Sequence, residues 1–498
     1  MAYGRAQGVF VREMNVIGKL AGQTAVYGLS SVVPRLLNYF LVALHSRVFV
    51  EAEYGVITEL YAYIAILLIL LTFGLETGFF RFASVTDRAA GERTYGSVFW
   101  FLTATSAAFF LACWGAIGPI SSWLGYTEHP EYILLLAGIL SVDSWSAIIF
   151  DKLRWQQRPY TFSGIKIAGV AINVGLNVLF LVGFPAWGLY NASFGPGYVL
   201  LSNLIASAFG ALAALIATGG LPRHADRKVL RPIMAFSLPL LVGGLGGTTN
   251  EFLDRIFIKW LTPASDPMAE LGIYGANVKI AVLVVLCVQM FKYAAEPFFF
   301  AQAQQRSDPK IYANVTKYFT YCILVVVVGI TFYLPVLQYF VGARFRVALD
   351  VIPILLVANL LYGFYFNVSF WYKIQKRTWY GVLFTFIGAA ITVVVNLLLT
   401  PTISYYGAAL ARVASYLAMC ILCVWIGQRY FPVPYDFRRI LLATGVSATL
   451  CIGGMLINID SRVGLLAIRS AIILLQVGVI LKLENLSFGK MIGAWRKR

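Results

Sequence analysis

The sequence predicts an all-α polytopic membrane protein with about 14 transmembrane helices: two parallel six-helix lobes followed by two C-terminal helices. Three observations predict this fold. The 498-residue chain is 60% hydrophobic and only 12% charged, and its mean hydropathy is +0.78, which is more apolar than a soluble domain. Apolar runs long enough to cross a ~30 Å hydrocarbon layer recur along the chain. Finally, the two halves of the chain share an internal repeat.

The spans are delimited by these apolar runs and by the polar segments between them. The first span is expected to serve as an uncleaved targeting signal, because the residues before it lack the compact apolar core of a signal peptide. The predicted spans are 22–48, 54–80, 95–120, 131–150, 160–184, 197–219, 233–261, 271–301, 316–341, 348–372, 378–400, 403–428, 438–458 and 463–482.

The distribution of Lys and Arg predicts the orientation. If the N-terminus is cytoplasmic, 27 of the 39 cations fall in inner segments and five in outer ones, as the positive-inside rule requires. Both termini are therefore expected in the cytoplasm. The same bias accounts for the net charge of +17 and suits contact with anionic membrane lipids. Because the cations lie on separate short loops, a nucleic-acid partner is not expected.

The repeat relates residues 54–80 to residues 274–300. Both stretches open with Tyr-Gly, place a glutamate 22 residues after the tyrosine (Glu76 and Glu296), and continue with Phe-Phe at a constant offset of 220. An even number of spans per repeat gives two halves of the same orientation. The predicted domains are an N-lobe of spans one to six (1–220), a C-lobe of spans seven to twelve (221–430), and spans thirteen and fourteen with a cytoplasmic tail (431–498).

Charged residues inside spans are concentrated on spans one, two, seven and eight. Such residues avoid lipid and face protein or a water-filled cavity, so these spans are predicted to line a cavity at the membrane midplane. The nine residues are Arg35, Glu59, Glu76, Glu251, Asp254, Arg255, Lys279, Lys292 and Glu296. The other intramembrane charges are Asp143, Lys166, Arg412 and Arg469.

Two alternatives stay open for the acidic members of this set. Lys292 and Glu296 are four residues apart on a helix, as are Glu251 and Arg255, so each pair can form a structural ion pair. Alternatively, the acidic residues take part in coupling transport to an ion. Both roles are considered for Glu76, Glu296, Glu251 and Asp254.

The repeat also suggests a gate. Glu59 and Lys279 are equivalent at the offset of 220, and each lies near the outer end of its span. Residues near a two-fold axis face their own equivalents, so this pair of opposite charges is a candidate outer gate that breaks when the protein opens outward.

The chain resembles the MOP (multidrug/oligosaccharidyl-lipid/polysaccharide) superfamily, and within it the bacterial polysaccharide-biosynthesis flippases. The resemblance rests on "EYGVITELYAYIAILLILLTFGLETGFFRFAS", its counterpart "LGIYGANVKIAVLVVLCVQMFKYAAEPFF", and "FLDRIFIKWL" in span seven. It implies an alternating-access flippase that moves undecaprenyl-diphosphate-linked oligosaccharide from the cytoplasmic to the outer leaflet for cell-surface polysaccharide biosynthesis. It also implies the bacterial inner (cytoplasmic) membrane as location and polysaccharide-assembly proteins as further partners.

In members of this superfamily, charged residues of a central cavity contact the diphosphate and the sugar. The matching positions here are Arg35, Arg255, Lys279 and Lys292, which are therefore the predicted substrate-binding residues. No catalytic residue, cofactor or metal site is expected, because the three histidines are scattered and the six cysteines lie in apolar runs.

Three alternative functions make different demands on the sequence. A lipid II (peptidoglycan precursor) flippase of the same superfamily is second, because that branch also has fourteen spans. A small-molecule exporter that takes cations would need a predominantly acidic cavity. A membrane-bound glycan polymerase or ligase would need a large outer loop, which the sequence lacks. No GxxxxGK[ST] phosphate-binding loop is present, so direct use of ATP is not expected.

Overall fold

The computed structural model describes residues 39–83, 87–223, 225–304, 308–457 and 459–484. Within these ranges the regular structure is entirely helical, and thirteen helices are long and apolar enough to span a membrane. The predicted all-helical membrane fold is therefore confirmed. The helices are α1 (Glu51–Phe82), α2 (Arg88–Gly115), α3 (Glu131–Trp155), α4 (Pro159–Ala186), α5 (Gly197–Ala217), α6 (Arg227–Leu261), α7 (Pro267–Lys292, continuing to Gln304), α8 (Lys310–Phe332), α9 (Val351–Ile374), α10 (Trp379–Ile403), α11 (Tyr405–Tyr430), α12 (Phe437–Leu456) and α13 (Arg462–Leu483).

These helices correspond in order to predicted spans two to fourteen. The first predicted span lies mostly outside the described residues, and its described part, 39–48, is helical. Arg35 also lies outside them.

Two predicted spans are displaced in the structure. Spans three and nine were expected at 95–120 and 316–341, whereas α2 and α8 begin and end several residues earlier. At the start of α2, the side chain of Asp87 caps the helix by accepting a hydrogen bond from the Ala90 amide at 3.0 Å, so the helix begins in polar sequence. After both helices the apolar run continues into a short, separate helix containing a proline, Ile117–Leu124 and Leu334–Leu337. An apolar run therefore does not mark the end of a helix by itself.

Helix α1 is interrupted, unlike its equivalent in the repeat. Phe73 and Gly74 adopt positive φ angles of 53° and 65°, and a Cβ atom on Gly74 would crowd the carbonyl oxygen of Ser237. Glycine is therefore required at this break. The corresponding part of α7 continues as one helix to Gln304, so the two copies have diverged at this point.

The chain divides into two compact units. Unit 1 contains the described residues up to Phe49 and Val56–Thr248, and unit 2 contains Val50–Gly55 and the described residues from Thr249 onward. In unit 2 the most apolar stretch of α7 is 67% buried, whereas those of α3 in unit 1 and α9 in unit 2 are each 61% buried. These two helices are equivalents in the predicted repeat. The predicted domain boundaries at 220 and 430 stay a prediction.

Within unit 2, Arg469 attaches the C-terminal helices α12 and α13. It is 8% exposed, and its guanidinium donates hydrogen bonds to the carbonyl oxygens of Phe332 at 3.1 Å and Gly454 at 3.4 Å. Phe332 ends α8, and Gly454 lies in the last turn of α12. The arginine satisfies carbonyls near helix ends that would otherwise be exposed to lipid, which explains a charge inside the last span.

Candidate functional site

The predicted site residues fall on both units. Glu59 and Glu76 lie on α1 in unit 1, and the other predicted site residues that the structure describes lie on α6 and α7 in unit 2. One group of charges surrounds a buried carboxylate; we call it the Asp254 cluster and define it as Glu251, Asp254, Arg255, Lys279 and Arg412. Helical spacing places the first three on neighbouring positions of α6, whereas α7 and α11 supply the other two.

Asp254 is the centre of this cluster. It is fully buried, and its carboxylate accepts hydrogen bonds from the Arg412 guanidinium and the Tyr274 hydroxyl, each at 2.5 Å. A third bond comes from the backbone amide of Arg255 at 2.9 Å. The Arg412 guanidinium also donates to the Glu251 carbonyl oxygen at 2.8 Å. A buried carboxylate is stable only when paired and hydrogen-bonded in this way, so Asp254 and Arg412 neutralise each other.

The remaining charges of the cluster are not arranged as predicted. The expected ion pair between Glu251 and Arg255 is absent from the described residues: Glu251 is exposed, whereas Arg255 is 7% exposed and lies over the Phe252 ring at 4.5 Å. Lys279 is exposed on α7, with Arg255 and Glu251 as electrostatic neighbours. Two cations and one acid therefore share this face of unit 2, outside the Asp254–Arg412 pair.

Lys292 lies further along α7, the helix that also holds Lys279. It follows Lys279 by 13 residues, which is about 20 Å along an α-helix. Its ammonium group lies 5.5 Å from the centre of the Phe366 ring. The predicted substrate-binding cations therefore form at least two groups: Arg255 with Lys279, and Lys292 by itself further along α7.

Glu296 has a partner that the sequence did not indicate. Instead of the expected pair with Lys292, its carboxylate binds the Lys373 ammonium group at 3.2 Å. Lys373 comes from the last turns of α9 and lies over the Phe370 ring at 4.7 Å. Lys373 of α9 therefore reaches the Glu296 carboxylate of α7. Lys292, four residues before Glu296 on α7, has no acidic partner among the described residues.

The two copies of the repeat contain equivalent ion pairs. Glu76, the equivalent of Glu296 in unit 1, binds Arg154 at 2.5 Å. Arg154 lies at the end of α3, and Lys373 lies at the end of the equivalent helix α9. Each unit thus joins the same two helices by an ion pair at the same place in the repeat. A structural ion pair is the geometry observed for Glu76, Glu296 and Asp254.

We expect the Glu296–Lys373 pair to tolerate reversal of both charges but not of one. The variant E296K would gather three lysines around Phe366 and lower the melting temperature by about 2–4 °C, as expected for about 1 kcal/mol in a partly exposed pair. The double variant E296K/K373E should regain most of this loss. The measurement is thermal unfolding in detergent, with E76R and E76R/R154E as the matched set in unit 1. Equal damage from single and double variants would contradict a pairwise role.

A match to a protein family establishes which group of proteins the chain is part of. The sequence profile of a family described as "Polysaccharide biosynthesis protein" matches residues 44–350, which is more than half of the chain. The chain belongs to this family. No curated protein matches it by sequence.

Solved structures resemble this polysaccharide biosynthesis family member over most of its length. A structure described as "Lipid II flippase MurJ, inward closed conformation" has a TM-score of 0.73 at 13% identity and covers 92% of this chain and 98% of its own. An inward-facing multidrug resistance MATE transporter has a TM-score of 0.63 at 14% identity, covering 82% and 94%. A MOP superfamily transporter from Pyrococcus furiosus has a TM-score of 0.51 at 14% identity, with the same coverages. The predicted resemblance to the MOP superfamily is confirmed at the level of the fold, which this chain shares with structures of flippases and transporters.

Sequence reasoning missed the role of Arg412 in this family member. The residue was recognised as an intramembrane charge, but its partner Asp254 is 158 residues away, so no local spacing could connect them. Sequence reasoning also missed a group of hydrogen-bonded polar side chains beside the cluster. Asn250 accepts hydrogen bonds from Thr392 at 3.0 Å and Ser415 at 3.3 Å, which links α6 to α10 and α11.

Two further predictions concern Glu59 and metals. Glu59 is fully buried in unit 1 and accepts a hydrogen bond from the Tyr126 hydroxyl. The outer gate of Glu59 and Lys279 stays a prediction. Among the described residues, no group of three or more His, Cys, Asp or Glu side chains could hold a metal ion.

Proposed function

We propose that this protein is an alternating-access flippase that moves undecaprenyl-diphosphate-linked oligosaccharide from the cytoplasmic to the outer leaflet. Its place would be the bacterial inner membrane, with both termini in the cytoplasm and with polysaccharide-assembly proteins as further partners. Family membership and the flippase and transporter fold support transport of a glycan precursor. The charges of the Asp254 cluster are our reason for proposing an anionic substrate.

The intramembrane charges do not favour an anion by number alone. The sequence holds seven cations and six acids within spans. The structure, however, engages acids in pairs: Asp254 with Arg412, Glu76 with Arg154, and Glu296 with Lys373. Of these partners, Arg154 and Lys373 lie at helix ends and were not counted among the seven.

Two of the predicted substrate-binding cations take no part in these ion pairs. Arg255 and Lys292 make no ion pair with a described acid, and Lys279 is exposed beside Arg255. Guanidinium and ammonium groups form strong, charge-assisted hydrogen bonds with phosphate oxygens. The arrangement supports binding of the diphosphate by Arg255 and Lys279, with Lys292 contacting the substrate at another level of α7.

The membrane potential favours the proposed direction. Moving a negative charge outward across a negative-inside membrane is favourable by about 2.3 kcal/mol per charge per 100 mV. A diphosphate can therefore be driven by the potential and by consumption of the product outside. No phosphate-binding loop for ATP is needed for such a step.

A lipid II flippase is the second candidate. The observation that favours it is the likeness to the MurJ structure over 92% of this chain, together with two helices, α12 and α13, beyond the predicted twelve-span repeat. A small-molecule exporter is favoured less, because Arg255 and Lys279 would repel the organic cations such a protein would carry.

Transport in proteoliposomes tests the proposal. We expect a fluorescent undecaprenyl-diphosphate oligosaccharide to be translocated by the wild type, and R255A and K279A to lower the rate by about 10- to 100-fold, since charged hydrogen bonds contribute about 1.5–3 kcal/mol. K292A should be less affected than either. The matched control is K310A, which removes an exposed lysine at the start of α8 and should leave the rate unchanged.

Three results would contradict the proposal in different ways. Preferential transport of lipid II by the wild type would assign the second function. Transport of a small amphiphile and of no lipid-linked glycan would assign the exporter. Normal rates in folded R255A and K279A would place the headgroup elsewhere in the protein.

A further inference from the structure

One end of unit 1 contains a cavity that the proposed transport site does not use. Helix α2 begins there, and α3 and α5 end there. The cavity has a volume of about 610 Å³, within the range of small-ligand sites. We call it the Arg88–Arg158 pocket; its walls include Arg88, Trp155, Gln156, Arg158, Ala217 and Thr218.

The pocket is cationic. Two arginines and no acid line it, and neither Arg88 nor Arg158 forms an ion pair with an acid in the described part of the chain. Acids nearby are engaged elsewhere. Glu92 binds the Lys152 ammonium group at 2.9 Å, and Asp87 caps α2. The field inside the pocket therefore favours an anion.

Residues in the pocket walls keep hydrogen-bonding capacity that the described residues do not use. The guanidinium of Arg158 donates to the carbonyl oxygen of Ala217, which fixes it at the end of α5 while its other N–H groups can still donate. The indole Nε1 of Trp155 and the amide Oε1 of Gln156 are buried, with no hydrogen-bond partner among the described residues. A buried indole N–H requires an acceptor, and a ligand oxygen would supply it.

The surroundings of the pocket are apolar on the membrane side. Ile216, which precedes the lining residue Ala217, is 78% exposed, and Tyr160, two residues after Arg158, is also 78% exposed. An aliphatic side chain on the outer face of a spanning helix contacts acyl chains, and a tyrosine at a helix end is suited to the level of the headgroups. The ligand therefore combines an anionic head with apolar chains.

We propose that the Arg88–Arg158 pocket binds the phosphodiester headgroup of an anionic phospholipid from the surrounding leaflet. The two guanidinium groups and the Trp155 N–H contact the phosphate oxygens, and the acyl chains lie along Ile216. The loops at this end belong to the predicted cytoplasmic segments, and the cytoplasmic leaflet is where anionic lipids attract basic pockets of this kind. This site is independent of the proposed transported substrate.

Lipid binding to the full-length protein in detergent tests the proposal. The probe is phosphatidylglycerol, with phosphatidylcholine as the neutral lipid, and binding is followed by native mass spectrometry. We expect R88Q/R158Q to lower the affinity for phosphatidylglycerol roughly 25-fold, about fivefold for each arginine, without changing that for phosphatidylcholine. The control R223Q/R227Q removes two exposed cations of the same end that do not line the pocket. It should lower the affinity clearly less than R88Q/R158Q does, because exposed charges that do not touch the phosphate are screened by salt.

Three outcomes would overturn the site. Equal losses in the two double variants would show binding to diffuse surface charge. Displacement of phosphatidylglycerol by an equal concentration of inorganic phosphate would assign a soluble anion. Tighter binding of undecaprenyl diphosphate than of phosphatidylglycerol would assign the headgroup of the transported lipid. An unchanged melting temperature in R88Q/R158Q shows that the variant is folded.

Discussion

Replacing Arg412 with alanine is expected to lower the free energy of unfolding by about 3–5 kcal/mol, the usual cost of breaking a buried ion pair by removal of one partner. Asp254 is fully buried and Arg412 is 5% exposed, so the carboxylate would lose its counter-charge at a site away from bulk solvent. The carboxylate would keep the Tyr274 hydroxyl and one backbone amide, but its charge would be uncompensated. Unfolding by titration with a denaturing detergent measures this loss.

The double variant D254N/R412Q separates the ion pair from the packing of the two side chains. Removing both charges avoids the buried unpaired carboxylate, so we expect the double variant to regain at least half of the stability that R412A loses. The control R429A removes an exposed arginine of the same helix, which lies over Trp425, and should be neutral within about 0.5 kcal/mol. An R412A protein that unfolds at the wild-type midpoint would refute the structural role of the pair.

The same variants connect stability to transport. In the proposed function, the Asp254–Arg412 pair removes an acid from the face that holds Arg255 and Lys279. D254N/R412Q changes no net charge, so it should retain the anion preference of the face even where stability is reduced. An ion-coupling role for Asp254 predicts the opposite, because transport would fail in the folded double variant.

The sequence was sufficient to predict the spanning helices. Backbone N–H and C=O groups inside lipid must be hydrogen-bonded within the chain, so a long apolar run that crosses the membrane folds as a helix. The sequence was insufficient where an apolar run continued beyond a helix. After Gly115 and after Phe332 the chain remains apolar, but a new short helix begins, so both ends were predicted too late. The break at Phe73 and Gly74 was equally invisible, because the equivalent segment of the repeat continues as one helix.

The candidate site was predictable only in part. Asp254, Arg255 and Lys279 stand out because a charge inside a span is costly and rare. Their partners do not stand out, since Arg412 and Lys373 lie on helices far away in the sequence. Helical spacing favoured pairs four residues apart, Lys292 with Glu296 and Glu251 with Arg255. Contacts between helices determine the observed pairs, and a single sequence does not encode such contacts as a local pattern.

The C-terminal helices are attached at a second point, which sequence reasoning also missed. Glu484 follows the end of α13, and its side chain is 4% exposed. Its carboxylate binds the Lys317 ammonium group of α8 at 2.6 Å and the Arg439 guanidinium of α12 at 3.3 Å, and it accepts a bond from the Tyr321 hydroxyl at 3.0 Å. One carboxylate thus joins α8, α12 and α13, as Arg469 does elsewhere on the same three helices.

We expect E484Q to destabilise the attachment of α12 and α13 by about 3 kcal/mol, because Lys317, whose side chain is 7% exposed, would lose its counter-charge. The loss should appear as faster proteolysis of the segment 431–436 between α11 and α12, while the rest of the chain stays protected. The control E270Q removes the charge of a carboxylate near the start of α7 that accepts a hydrogen bond from the Ser404 hydroxyl, and it should not change this proteolysis.

The same attachment should depend on pH. Burial raises the pKa of the Glu484 carboxyl, but hydrogen bonds from Lys317 and Tyr321 lower this pKa by more than burial raises it. The pKa therefore lies below its ordinary value of 4.5. A carboxyl with a depressed pKa in the folded state contributes its full stability above 4.5, and this contribution is lost as the pH falls towards the folded-state pKa. Wild-type protein should therefore become sensitive to an acid-active protease between α11 and α12 only below pH 4.5, whereas E484Q should be sensitive at every pH. A wild-type profile that is flat from pH 7 to the acid unfolding of the whole chain would show that the carboxylate does not hold these helices in place.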